Sequence, residues 1–383
     1  MRKIKSTTTH LHSALVLSGG GARAAYQVGV LKAIADIMPE STRNPFGIIS
    51  GTSAGAINAV ALAAHADNYR NAVYNIENVW KAFRPHQVYR SDPLGVFSNA
   101  MRWITSLIFA SRNRSSLLNN EPLGQLLGSM IRFDNLQQAI DDGYLRAISV
   151  TASGYSSGHS VAFFQGSPDI SAWKRFQRIG LRTHLKLEHL MASSAIPMVF
   201  PAVRINREYF GDGAVRQLAP LSPALHLGAR KILVVGVSGN RSAPQVQRPV
   251  DDYPSLAQIS GHLMNSIFLD SLEYDVERME RINDMLDVIP PNVRQKYQSS
   301  LHPIDSLVIS PSQCLDRIAS KYLHVLPASI RVFLHGIGAT RSSGSSILSY
   351  LLFERRFCRE LIALGYHDGI AKAKEIEAFM ASD

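Results

Sequence analysis

Apolar residues near the start of the chain fall into two repeats of one design. The run "ALVL" at residues 14–17 meets three consecutive glycines, Gly19, Gly20 and Gly21. A short continuous apolar run closed by a glycine turn reads as a buried strand. Behind the glycines, Val28, Leu31, Ile34, Ala35 and Met38 recur at helical spacing up to Pro39, which stops the helix. "PFGIISGTSAGAINAVALAAH" repeats the design, with a strand expected at 46–50, a sharp turn from Gly51 to Gly55 and an alanine-rich helix to about His65. Two such units in succession predict a parallel sheet with crossover helices.

The pattern then changes. Residues 70–143 show mostly helical spacing and few strand signals. Within them Trp103, Ile104, Leu107, Ile108 and Phe109 lie beside Arg102, Arg112 and Arg114. Such a patch either packs against the sheet or lies in a membrane interface. Strand patterning returns at 144–153 and 159–165, joined by a loop of Gly and Ser that predicts a hairpin. A short helix broken at Pro197, a tight turn at Gly211 to Gly213, a helix at 222–227 and a buried strand at 231–237 follow. Residues 240–252, rich in Ser, Pro, Gln and Arg, read as a surface loop. Leu272, Val276, Met279, Ile282 and Leu286 predict a helix, as do Leu348, Leu351, Leu352, Leu361 and Ile362, with a late strand in "SLVISPS" between them. The expected organisation is a tail at 1–12, a main domain at 13–240 with a helical insertion at 70–143, and a mainly helical region at 241–383 packed on it.

Composition narrows the classes. At 383 residues, 46% of them hydrophobic, the chain can bury a sizeable core. A net charge of +10 suits an anionic partner. The basic residues are scattered without an aromatic-interleaved motif, so no nucleic-acid partner is expected. Cys314 and Cys358 show no CxxC spacing, and the 13 histidines form no HExxH pattern, so no metal site is expected. No stretch reaches the roughly 18 apolar residues of a membrane span, and the run at 14–17 is too short for a signal-peptide core. The expectation is a cytoplasmic chain with peripheral contact on the inner membrane surface.

Candidate chemistry sits on the turns. "GGGARA" nominally satisfies a dinucleotide fingerprint, yet the acidic residue expected at the end of the next strand is missing, since that strand ends at Ser50-Gly51. What the glycines supply is bare amides at a helix N-terminus, suited to a phosphate or an oxyanion. "GTSAG" is a G-x-S-x-G elbow at a strand–helix junction, presenting Ser53 between the small residues Gly51 and Gly55. The Ala54 amide can then join the glycine amides around a carbonyl oxygen. A serine needs a base. His184, His189, His226, His262, His302, His324, His335 and His367 lack the expected loop and upstream acid. Asp212 of "GDGAV" is the better candidate, although Asp-Gly is a turn former in its own right. As a base, Asp212 would take the Ser53 proton directly, which requires burial to raise its proton affinity.

These stretches together resemble the motifs of the bacterial patatin-like phospholipases. "GGGARA" from Gly19 to Ala24, "GTSAG" from Gly51 to Gly55 and "DGA" from Asp212 to Ala214 follow that family's order, and "ASSAIPMVFP" shortly before DGA is similar too. The resemblance covers about residues 13–240. It implies a three-layer α/β fold, with a central, mostly parallel sheet flanked by helices. It also implies a Ser53–Asp212 dyad, an oxyanion loop of Gly19, Gly20 and Gly21, a supporting Gly213 and no cofactor. Arg23 matches the basic residue that follows the family's glycines, where it either anchors the loop or attracts a phosphate head group. Ala24 departs from the family's last glycine, which affects helix packing rather than the amides. The expected reaction is hydrolysis of carboxylic esters in phospholipids or lysophospholipids through an acyl-enzyme. The alternatives are an esterase or acyltransferase on neutral or soluble acyl groups, and a nucleotide-binding regulatory protein.

Overall fold

A computed structural model of the chain describes residues 10–40, 42–89, 116–239, 256–290, 292–293, 302–326, 331 and 345–382. One sheet runs through them in the order β10-β9-β1-β2-β3-β4-β6-β5, with β8 pairing β3 and β7 off that path. Its strands are β1 Ser13–Leu17, β2 Ile48–Thr52, β3 Ala147–Gly154, β4 Ser160–Gly166, β5 Trp173–Arg175, β6 Arg178–Arg182, β7 Val203–Ile205, β8 Glu208–Asp212, β9 Lys231–Val235 and β10 Asp305–Ile309. The stretch from β10 through β9, β1 and β2 to β3 is parallel throughout. Every residue of β1, β2 and β9 is buried. Parallel strands are covered on both faces by their crossover helices, hence the unbroken apolar runs in the sequence.

Helices α1 (Ala25–Ile37), α2 (Ala54–Ala63) and α3 (Tyr69–Ala82) follow the first two strands. Their apolar faces join a core cluster that includes Leu31, Ile34, Val60, Leu62, Val73 and Ile76. A later helix, Arg355–Ala371, adds Phe357, Leu361 and Ile362 to the same cluster. The Tyr26 hydroxyl of α1 donates to Asp368 Oδ2 of that helix at 3.1 Å, so a polar clasp accompanies the apolar contact. The C-terminal third thus supplies both β10 to the sheet and a helix against α1.

Several expectations shift in detail, each for a local reason. Pairing of β2 with β1 starts at Ile48 opposite Ala14, because the Gly47 N–H is already donated to the His10 carbonyl. The helix expected to break at Pro197 ends at Ser193. A proline ring clashes with a helical carbonyl four residues back, and 193 is that position. Gly211 and Asp212 lie in β8 rather than in a tight turn, and the turn proper is Gly213–Arg216. The late leucines divide between helices Ser345–Leu351 and Arg355–Ala371, the second capped by Glu354 accepting from the Arg356 and Phe357 amides. β5 and β6 were not foreseen: "WKR", the edge strand, is basic and mostly exposed, and "RIGLR", which lies between β4 and β5, buries only Gly180, so neither carries the apolar run of a core strand. The patch from Trp103 to Phe109 and the expected loop at 240–252 lie outside the described residues.

Among the described residues no cluster of His, Cys, Asp and Glu could hold a metal ion. Among the same residues no helix is long and apolar enough to cross a membrane.

Candidate active site

β2 ends at Thr52 and α2 begins at Ala54, so Ser53 alone makes the turn. Its backbone has φ 55° and ψ −132°, a conformation costing a residue with a side chain about 1–3 kcal/mol. Three groups hold it there. The Ser53 N–H donates to Ser193 Oγ at 2.8 Å, and Ser193 Oγ in turn donates to the Thr151 carbonyl at 2.6 Å. The Ser53 carbonyl takes the first bond of α2, from the Ala56 N–H at 2.9 Å. Gly55 permits the sharp entry: a Cβ there would lie 2.4 Å from the carbonyl oxygens of both Leu17 and Ser18. Gly51 occupies β2 between Leu17 of β1 and Val150 of β3.

Register delivers Asp212 to the same spot. β2 pairs with β3 as far as Thr52 opposite Thr151. The next residue of β3, Ala152, pairs with Val161 of β4 and with Asp212 of β8. β8 therefore continues the line that β2 leaves, and its last residue stands beside Ser53. The Ser53 hydroxyl donates to Asp212 Oδ2 at 2.5 Å, and the Ala214 N–H donates to Asp212 Oδ1 at 3.0 Å. The Asp212 N–H is donated to the Ala195 carbonyl at 2.9 Å. Behind it Gly213 lies so close to the Thr151 carbonyl that a Cβ would come within 2.1 Å. Asp212 is wholly buried and Ser53 is 1% exposed. Desolvation pushes the Asp212 carboxyl up to about 7, against the two hydrogen bonds that favour its charged form. Tyr155 is pushed up as well, by burial first and then by the Asp212 charge.

The glycine loop closes the third side. A Cβ on Gly19 would sit 3.1 Å from both Ser53 Cβ and Phe268 Cδ1, so the loop abuts the serine directly. Among the described residues the N–H groups of Gly19, Gly20 and Ala54 have no acceptor. Gly21 has φ +56°, and a Cβ there would strike the Tyr350 carbonyl at 2.3 Å. Arg23 behaves as an anchor. Its guanidinium is 2% exposed, stacks 4.0 Å from the centroid of Tyr350, and donates to Asp316 Oδ1 at 2.5 Å, Ser349 Oγ at 2.8 Å and Asn265 Oδ1 at 3.3 Å. A group so enclosed is spoken for, which tells against a role in attracting a head group. Ala24 is wholly buried under α2, its carbonyl accepting from Asn58 Nδ2 at 3.1 Å.

Ser53, Asp212, Gly19, Gly20 and Gly21 thus come together at the carboxyl ends of β1 and β2. Among the described residues no histidine hydrogen-bonds Ser53 or Asp212. His189, for example, accepts from the Lys186 amide and packs on Phe163. Sequence reasoning missed Ser193, which lies within a stretch already noted for its resemblance. Its signal was a serine pair placed where a broken helix meets the sheet. It also missed Gln27, a polar residue in the otherwise apolar N-terminal turns of α1.

Comparison with known proteins gives the family. Residues 15–225 match the family model for patatin-like phospholipase. A cGAMP-activated phospholipase of Pseudomonas aeruginosa (strain BWHPSA011 / Pa011) is 26% identical over 212 residues, 55% of this chain and 55% of that protein. The chain therefore spans about half the length of the curated relative it matches. Among solved structures, VipD from Legionella pneumophila covers 92% of this chain and 67% of its own, at 11% identity and a TM-score of 0.33, too loose a likeness to support an argument. The family model spans more than half of the 383 residues and takes in all three motif-bearing turns, so the chain belongs to the patatin-like phospholipase family.

Proposed function

We propose that the chain hydrolyses carboxylic ester bonds of phospholipids or lysophospholipids, with Ser53 as nucleophile and Asp212 as its base. The observation that carries this reading is the 2.5 Å bond from the Ser53 hydroxyl to a wholly buried carboxylate. An ordinary aspartate is too weak a base to activate an alcohol near neutrality; one raised to about 7 by burial is matched to the task.

In the first half-reaction Ser53 Oγ attacks the acyl carbonyl while its proton passes to Asp212. Charge builds on the carbonyl oxygen, where the bare amides of Gly19, Gly20, Gly21 and Ala54 would stabilise it. The C–O bond to the glycerol side breaks, and that alcohol leaves with the proton from Asp212. An acyl-Ser53 ester remains. In the second half-reaction Asp212 takes a proton from water, the hydroxide attacks the acyl carbon, and Ser53 leaves reprotonated with release of the fatty acid. The balance closes with water and the chain's own groups.

A lipid substrate is supported by family membership. The net charge of +10 favours an anionic one, and peripheral membrane contact is part of the proposal.

A fluorophosphonate probe and a phospholipid panel test the reading together. Wild type is expected to be labelled and to release fatty acid. Ser53→Ala should lose the label and at least about four orders of magnitude in turnover. Equal turnover in Ser53→Ala would remove the serine from the chemistry.

A further inference from the structure

Three buried polar side chains that this chemistry leaves unused form a line from α3 to the glycine loop. Trp80 Nε1 donates to Asn58 Oδ1 at 2.7 Å. Asn58 Nδ2 donates to Gln27 Oε1 at 3.0 Å and to the Ala24 carbonyl at 3.1 Å. Gln27 Nε2 donates to the Ser18 carbonyl at 2.8 Å and to the Val235 carbonyl at 3.3 Å. Gln27 and Asn58 are wholly buried and Trp80 is 2% exposed. Two amides and an indole N–H in an otherwise apolar core are unfavourable unless every group is partnered. Apolar residues of the same size would fill the space without that demand, so filling the core does not account for them.

Chemistry fixes the direction of the line. An indole N–H can only donate. Asn58 must therefore turn its oxygen to Trp80 and its amide nitrogen to Gln27. Gln27 must then turn its oxygen to Asn58 and its nitrogen to Ser18. Reversing either amide would set donor against donor or acceptor against acceptor. Besides a longer bond to the Val235 carbonyl, the line ends on the Ser18 carbonyl, which opens the glycine loop.

That carbonyl matters because of what stands on the other side of its peptide. In a planar trans peptide the C=O and the following N–H point in opposite directions. With the Ser18 carbonyl drawn inward to Gln27, the Gly19 N–H is turned away from Gln27, and Gly19 is the residue that abuts Ser53. Glycine gives the amides room but also freedom, since with no Cβ at Gly19 fewer steric barriers oppose rotation of the Ser18–Gly19 peptide. We infer that Gln27 is a positioning residue, which clamps the Ser18–Gly19 peptide so that the Gly19 N–H faces the developing oxyanion, with Asn58 and Trp80 fixing which end of its amide does the clamping. The inference rests on the Ser53 acyl-hydrolase reading above.

The test uses the full-length chain, a soluble short-chain ester and a fluorophosphonate to count active sites. Gln27→Met keeps the length and removes both the donor and the acceptor of the side-chain amide. Turnover per titrated site and the rate of fluorophosphonate inactivation are expected to fall together, by roughly tenfold to a hundredfold, with KM unchanged, because a donor needed only in the transition state is misaimed. A merely structural role would lower the melting temperature and the titre while leaving turnover per site intact, and that result overturns the inference. Trp80→Phe, which deletes only the indole N–H, carries the same test should Gln27→Met fail to fold. A loss of several-fold per site is expected, and wild-type turnover per site overturns it. Ser53→Ala is run alongside. An inactive Ser53→Ala beside a fully active Gln27→Met sinks the clamp and spares the hydrolase reading, whereas a fully active Ser53→Ala sinks both.

Discussion

The two strand–turn–helix units at the head of the chain look alike in sequence and are held in place differently. The second presents a side chain. Its strained residue is pinned through its own backbone, by the Ser53 carbonyl at the start of α2 and the Ser53 N–H on Ser193. The first presents only backbone, and the amides it offers have to stay without acceptors. It is held through other groups: the Ser18 carbonyl by Gln27, the Arg23 side chain by Asp316, Ser349 and Asn265, and the space beside Gly21 by Tyr350. A turn that offers a side chain can be fixed from its own backbone. A turn that offers amides must be fixed from behind, and most of its supports come from far along the chain.

The largest effect should follow from forcing the two units apart. Gly55→Val would drive a side chain into the Leu17 and Ser18 carbonyls, which are 2.4 Å from the position of its Cβ. Neither backbone can yield cheaply, and a loss of about 4 kcal/mol or more is expected in urea unfolding. Near wild-type stability would mean that the units do not interlock there. A smaller and more selective loss, about 3 kcal/mol, is expected for Asp316→Ala, which leaves the buried Arg23 guanidinium without its carboxylate. It should weaken the first unit and spare the second, so turnover per site should fall along with the melting temperature. Loss of stability with intact turnover per site would detach the anchor from the glycine loop.

The smallest effect has the opposite sign. Burial lifts the Asp212 carboxyl above its unfolded value, so its contribution to stability is complete in acid and is lost as pH rises through about 7. Asp212→Asn cannot ionise and should be more stable than wild type near pH 8, with the gap closing toward pH 4. Urea midpoints at the two pH values measure this. A gap independent of pH would show that the carboxylate beside the second unit is not desolvated. The same titration predicts ester turnover in wild type rising with pH through about 7.

The parallel core was legible because its strands are apolar on both faces and its helices begin directly after glycine turns. Leu15, Leu17, Ile48 and Ile49 announced themselves by composition. The candidate pair was legible because an elbow and an Asp-Gly turn each demand small residues at fixed offsets. What stayed hidden has no local signature. β5 is an exposed edge strand and β6, between it and β4, buries only Gly180, so neither shows the apolar run of a core strand. The placement of Asp212 depends on β3 outrunning β2 by the residues that pair with β8, a matter of register between distant segments. Ser193 and Asp316 act across 140 and 293 residues, farther than any spacing rule reaches, and Gln27 acts on a backbone carbonyl, which leaves no mark in the sequence.

The order of strands carries one more consequence. β1, which bears the glycines, lies between β2 and β9, and the family match ends at residue 225, before β9 begins at Lys231. A fragment cut at that boundary would keep Ser53, Asp212 and every glycine of the loop. It would nevertheless strand β1 at an open edge, its backbone unpaired on one side and ready to join another chain, and Arg23 would lose Asp316 and Ser349 with the rest of the C-terminal third. The portion of the molecule that the family model matches is thus shorter than the portion that has to fold as one.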